Sequence, residues 1–194
     1  MRELSLHLLD IAENSVNAKA KNIEILVSED SRSDRLTMVI SDDGTGMDAE
    51  TAARVTDPFV TSRTTRKVGL GLPFLKMAAE SCEGFLTLQS KKGAGTRVEV
   101  EFQRSHIDRM PLGDLTSTLL SLLIGFPQVH WIFTYRGNGV EYKFDDAEIK
   151  KELDGIPLSE PEVIKYLRET IHDGIQAIQP DAETAFTQTK ITSQ

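Results

Sequence analysis

A single cysteine, Cys82, leaves no partner for an intramolecular disulfide and rules out a multi-cysteine metal site. It falls among apolar residues late in a predicted helix and reads as a small buried side chain. No apolar run is long enough to span a bilayer: the longest, Leu119 to Phe126, is interrupted by Ser121. An excess of positive charge is also missing. The 22 Lys and Arg against 30 Asp and Glu give a formal net charge of -8, so no global field draws the chain to nucleic acid or to an anionic membrane. The start carries Arg2, Glu3 and Asp10 and is helix-like, unlike a signal peptide. Neither an internal repeat nor a low-complexity stretch is present. A soluble, cytoplasmic protein is expected. What is there suffices for a real core: 194 residues, 39% of them hydrophobic, fit one medium domain or two small ones.

The first hundred residues alternate between helix and strand patterns. Glu3 to Ala18 reads as a helix, Ile23 to Val27 and Leu36 to Ser41 as strands, and Ser28 to Asp34 as the loop between them. Asp48 to Val55 is a short helix with Asp48 as its N-cap. Asp57 to Val68 has loop composition, Leu70 to Cys82 is a helix that tolerates Pro73 in its first turn, and Phe85 to Ser90 and Arg97 to Phe102 are strands. That order predicts a mixed sheet with helices on one face, an α/β two-layer sandwich spanning residues 1–104. Residues 105–110 read as a linker and 111–178 as a small α+β module for a partner or for dimerisation. The module holds an apolar helix from Leu112 to Ile124, a hairpin turning at Asn138-Gly139, and helices at Asp146 to Leu153 and Glu160 to Gln176. Residues 179–194 read as a flexible tail.

Three stretches carry chemistry. In "DIAENSVNA" the residues Asp10, Asn14 and Asn17 fall, with Glu3 and His7 before them, on one stripe of a helix whose opposite arc is apolar, although Asn has little reason to sit mid-helix. In "SDDGTGM" a strand ends in two acids and a Gly-Thr-Gly, where Asp42 could accept from an exocyclic amine and Gly44 and Gly46 permit close approach. In "VGLGL" Gly69 and Gly71 open a helix whose backbone amides make an anion site, with Arg63, Arg66 and Lys67 just upstream. A phosphate loop of the type ending in Gly-Lys-Ser or Gly-Lys-Thr is lacking.

In this order the stretches resemble the boxes of the GHKL ATPase superfamily (gyrase, Hsp90, histidine kinases, MutL). "DIAENSVNAKA" is similar to its N box, "DDGTG" to G1, "DPFVTSRTTRK" to the lid region, "GLGL" to G2 and "GAGTRVEVEF" to G3. The resemblance covers about residues 3 to 102 and implies the Bergerat ATP-binding fold, with ATP and Mg²⁺ as cofactors. It implies that Asn14 supplies an oxygen to Mg²⁺, that Asp42 accepts from the adenine amine, and that Thr96 supports that contact through water. Lys67 becomes a phosphate contact, and His7 is placed to touch phosphate or water. Asp10 takes the place of a water-orienting glutamate but is one methylene shorter. Asn17 stands where relatives carry Asp or Lys and decides nothing between branches. The N box is more like MutL or type II topoisomerases, and the remainder more like a histidine kinase.

The resemblance implies an ATP-dependent protein kinase, acting on serine or histidine of a partner protein, or an ATP-gated switch with slow or no hydrolysis. No acceptor-bearing helical hairpin is read before the first helix. "HIDRMPL", from His106, matches the outline of a kinase H box without its acidic residue. A partner protein, and a second copy of the chain, are therefore the expected partners.

Overall fold

The computed structural model describes residues 3–56 and 71–179. Six strands make one sheet: β1 (Asn22–Asp30), β2 (Arg35–Asp42), β3 (Phe85–Ser90), β4 (Thr96–Gln103), β5 (His130–Gly137) and β6 (Val140–Asp145). They lie in the order β3-β4-β2-β1-β5-β6, and every neighbouring pair is antiparallel except β1 with β5. Period-2 alternation decides which face is covered. Ile23, Ile25 and Val27 of β1 lie in register with Ile40 and Met38 of β2 and with Trp131, Phe133 and Tyr135 of β5, all buried. The alternate residues, among them Glu24, Arg97 and Glu99, form the opposite, polar face.

The helices α1 (Leu4–Asn17), α2 (Ala49–Val55), α3 (Gly71–Ser81), α4 (Leu115–Gly125), α5 (Asp146–Glu152) and α6 (Pro161–Gln176) complete the sandwich. Leu4, Leu8, Ile11 and Ala12 bury the inner arc of α1. α4 buries Leu115, Leu119, Leu120, Leu122 and Leu123 between α1 and α6, so the apolar helix is core rather than a free docking face. α6 contributes Val163, Leu167, Ile171 and Ile175 at four-residue spacing, one stripe of an amphipathic helix. Asp48 caps α2 as expected, accepting the Thr51 N–H at 2.8 Å.

Residues 111–178, expected as a module of their own, dock on the first hundred by sharing their sheet and their core. The stretch expected as a linker is a strap. Glu29, buried on β1, accepts the Tyr135 hydroxyl at 2.5 Å and the Arg104 Nε–H at 2.9 Å. Asp34 accepts from Gln103 Nε2, the Ser105 N–H and the Ser105 hydroxyl. Arg109 donates to the carbonyls of Arg104 and Met110. The chain then reaches the start of α1, where Pro111 and Leu112 carbonyls accept the otherwise orphaned N–H groups of Leu4 and Ser5 at 3.0 and 2.8 Å. That use of Leu112 explains why α4 starts at Leu115 and not at Leu112: Gly113 turns at φ +81° and Asp114 caps the helix through Ser117.

Candidate functional site

A cavity of about 200 Å³ opens between α1, the loop after β2 and the start of α3. Ile11, Ile40, Met47, Val55, Leu72, Leu88 and Val98 give it apolar walls, which suit a flat ring system. Among the described residues, the polar side chains that reach it are few: Asn14, Ser15, Asp42, Thr45 and Thr96.

Asp42 closes β2 and is oriented from three sides. Ser15 donates to Oδ2 at 2.6 Å, and the backbone N–H groups of Gly44 and Thr96 donate to Oδ1 at 2.9 and 3.2 Å. A carboxylate offers about four acceptor positions, so among the described residues one remains, on the oxygen that takes only Ser15. Asp42 is half-buried at the cavity wall, which leaves that position to a ligand donor.

The glycines let protein backbone, as well as any ligand, come close. A Cβ on Gly44 would lie 2.8 Å from the Ala18 carbonyl at the end of α1. Gly46 has φ +60°, and a Cβ there would lie 2.0 Å from the Lys91 carbonyl. The loop is thus pressed between the end of α1, where Thr45 N–H donates to Ala18 at 2.8 Å, and the turn before β4. Gly95 holds that turn, since a Cβ on it would strike the Asp42 carbonyl at 1.9 Å. Ser90 accepts the Met47 N–H at 2.8 Å and donates to the Gly95 carbonyl at 3.1 Å, so Thr96 must be the donor in their 2.8 Å hydroxyl contact.

The sequence stripe on α1 divides. Asn14 is exposed and lines the cavity; Asn17 is exposed beyond it; Asp10 is half-buried one turn before Asn14 and is not part of the cavity wall. His7 departs from expectation. It is buried, its Nδ1 has no hydrogen-bond partner among the described residues, and it does not line the cavity; burial pushes its imidazole below the usual range, toward the neutral form. Gly71 is buried at the first position of α3 with Leu72 in the cavity wall. Lys67, Gly69, Arg63 and Arg66 lie outside the described residues.

His106 is far from this cavity. Thr96 at the cavity and Gln103 before the strap are opposite ends of β4, roughly 23 Å apart for an eight-residue strand. Its Nδ1 is engaged by the Asp108 N–H at 3.2 Å.

Several site residues were not singled out from the sequence. Ser15 could have been found as a hydroxyl on the otherwise apolar arc of α1. Gly95 stood inside the stretch similar to G3 without a role of its own, and Ser90 had no signal, because the Met47 N–H it accepts lies more than forty residues away in the chain.

Comparison with known proteins follows the same outline. Residues 2–106 match the family described as histidine kinase-, DNA gyrase B-, and HSP90-like ATPase. A putative sensor protein of Shewanella frigidimarina is 29% identical over 109 residues, 55% of this chain and 17% of that protein. The sensor protein kinase FleS of Pseudomonas aeruginosa is 39% identical over 89 residues, 46% of this chain and 22% of its own length. The chain therefore spans about a fifth of these relatives. Among solved structures, the N-terminal domain of a DNA repair protein superposes with a TM-score of 0.56 at 14% identity, over 88% of this chain and 57% of that one. Coverage of that extent carries the shared fold past residue 106, into β5 and beyond.

Proposed function

We propose, from the premise that this chain belongs to the histidine kinase-, DNA gyrase B-, and HSP90-like ATPase family, that its cavity binds Mg-ATP and that the γ-phosphoryl group passes to a partner protein. The observation that carries the reading is the spare acceptor position on Asp42 in a cavity whose described walls are largely apolar. An exocyclic amine donates to that position, and the apolar walls take the faces of the ring. Thr96 fixes the Asp42 carboxylate through its N–H, and its hydroxyl keeps acceptor capacity for a bridging water.

Asn14, exposed at the cavity, suits magnesium, which takes few protein oxygens and retains waters. The ion, when bound, neutralises phosphate charge. Gly71 at the start of α3 offers backbone amides to phosphate, and Lys67 and Gly69 belong to the same reading. Asp10, one turn from Asn14, is the group we assign to orienting the attacking nucleophile. The acceptor residue comes from a partner, because His106 is at the wrong end of β4. The reading places the protein in the cytoplasm, where ATP is available; among the described residues no helix is long and apolar enough to cross a membrane.

A second reading, an ATP-gated switch with slow turnover, draws on Asp10 being short and set back from the cavity wall. One experiment separates the two. The chain, alone and with lysate proteins, is incubated with magnesium and γ-labelled ATP. Label on protein supports transfer; free phosphate alone, or bound ATP without products, supports the switch. A pocket that stays empty at millimolar Mg-ATP in calorimetry overturns both.

A further inference from the structure

On the Asp42 side of the cavity the hydroxyls of Ser15, Thr96 and Ser90 have each placed their single proton. Ser15, buried on α1, has two oxygens within reach: Asp42 Oδ2 at 2.6 Å and the Ile11 carbonyl, one turn earlier, at 3.3 Å. A serine inside a helix commonly bonds back to that carbonyl. Here the distances decide otherwise, since 2.6 Å is a charge-assisted O–H···O⁻ spacing and 3.3 Å is long for a hydroxyl donor. Thr96 gives its proton to Ser90, and Ser90 gives its own to the Gly95 carbonyl at 3.1 Å.

The consequence falls on Asp42. Its Oδ1 is held by two backbone N–H groups, those of Gly44 and Thr96, and its Oδ2 by Ser15 alone among the described residues. The torsion that turns a carboxylate is soft, so donors on one oxygen do not by themselves fix where the other points. The Ser15 hydroxyl does. It also sets a second oxygen in the cavity wall, with its proton spent on Asp42 and its lone pairs unclaimed among the described residues. Together these side chains present acceptors and no spare donor.

We propose that Ser15 is a positioning residue, acting through Asp42, that makes the cavity select a purine bearing an exocyclic amine over one bearing a carbonyl in the same place. The proposal rests on the nucleotide reading. An amine brings protons to Asp42 Oδ2 and to the Ser15 oxygen beside it. A carbonyl sets lone pairs against lone pairs. Freeing a proton for it breaks either the bond from Ser15 to Asp42 or the bond from Thr96 to Ser90, so the discrimination is built into the wall and does not depend on the ring's fit.

The test uses the full chain and three magnesium triphosphates that differ at one ring substituent. ATP carries the amine, inosine triphosphate a carbonyl, and purine riboside triphosphate only hydrogen. Calorimetric affinities are measured for the parent chain and for Ser15→Ala, which keeps a strong helix former in α1; thermal unfolding checks that the variant is folded. The parent should bind ATP tightest and inosine triphosphate weakest. Ser15→Ala should narrow the preference for ATP over purine riboside triphosphate by about threefold to tenfold, the worth of one hydrogen bond. Purine riboside triphosphate, which makes no use of the acceptor, should bind both proteins alike. A merely structural serine would weaken all three ligands in parallel. That outcome, an unaltered preference in Ser15→Ala, or a parent chain indifferent to the substituent would overturn the proposal and leave the nucleotide reading standing. A parent chain that binds none of the three overturns both.

Discussion

The two ends of the sandwich are built on the same helix and the same sheet, and they use polar groups in opposite ways. At the strap end, Glu29, Asp34 and Arg109 are met by partners within the protein, and the first N–H groups of α1 find the Pro111 and Leu112 carbonyls. At the cavity end, Asp42 retains an acceptor position and Asn14 presents its carboxamide to solvent. A polar group turned to protein partners fixes the fold; one set in the wall of an open cavity is available to a ligand. The distinction separates residues that look alike in the sequence: Asp42 and Asp43 are neighbours with three donors each, and only the first lines the cavity.

Substitutions can break this contrast. Glu29→Ala should have the largest effect, because it strands the Tyr135 hydroxyl and the largely buried Arg104: about 3 kcal/mol lost in urea unfolding. The remaining folded protein should bind Mg-ATP as before, and a matching loss of affinity would erase the separation between the ends. Asn14→Ala should do the reverse. Calorimetric affinity for Mg-ATP should fall at least about tenfold, or ~1.4 kcal/mol. Stability should stay within about 0.5 kcal/mol, since the side chain is exposed. Undiminished affinity would remove Asn14 from the metal role.

The smallest effect touches both ends together. Asp34, where burial is outweighed by hydrogen bonds from Ser105 and Gln103, and Asp43 are both held below the ordinary carboxylate range. The unfolded chain therefore takes up protons first as pH falls. Their contribution is complete above about pH 4 and is lost as pH drops through the lower, folded values. Thermal unfolding from neutral to acid pH should show this loss, and Asp34→Asn should blunt it at the strap end alone.

Much of this was legible in the sequence because it is local. Periodicity marks α1 and the strands; Asp48 announces α2 three residues ahead of Thr51; Asn138-Gly139 turns β5 into β6 with both residues at positive φ. The family boxes bring Asn14, Asp42 and Thr96 to one cavity. What was not legible depends on partners distant in the chain. A linker and a strap have the same composition, and only the position of Glu29 and Asp34 tells them apart. His7 has the spacing of the polar stripe, yet it is buried. The parallel pairing of β1 with β5 leaves no sign in either strand, because any two apolar-alternating segments could occupy those places.

That pairing sets an order of events in synthesis. β1 leaves the ribosome before its neighbour in the sheet, which is registered Asn22 to His130 and is made more than a hundred residues later. Until then one long edge of β1 shows unpaired peptide groups to any other nascent strand, and closure must wait on a contact of high sequence separation. A chaperone able to shield that edge would shorten the interval in which the growing polypeptide is prone to aggregate.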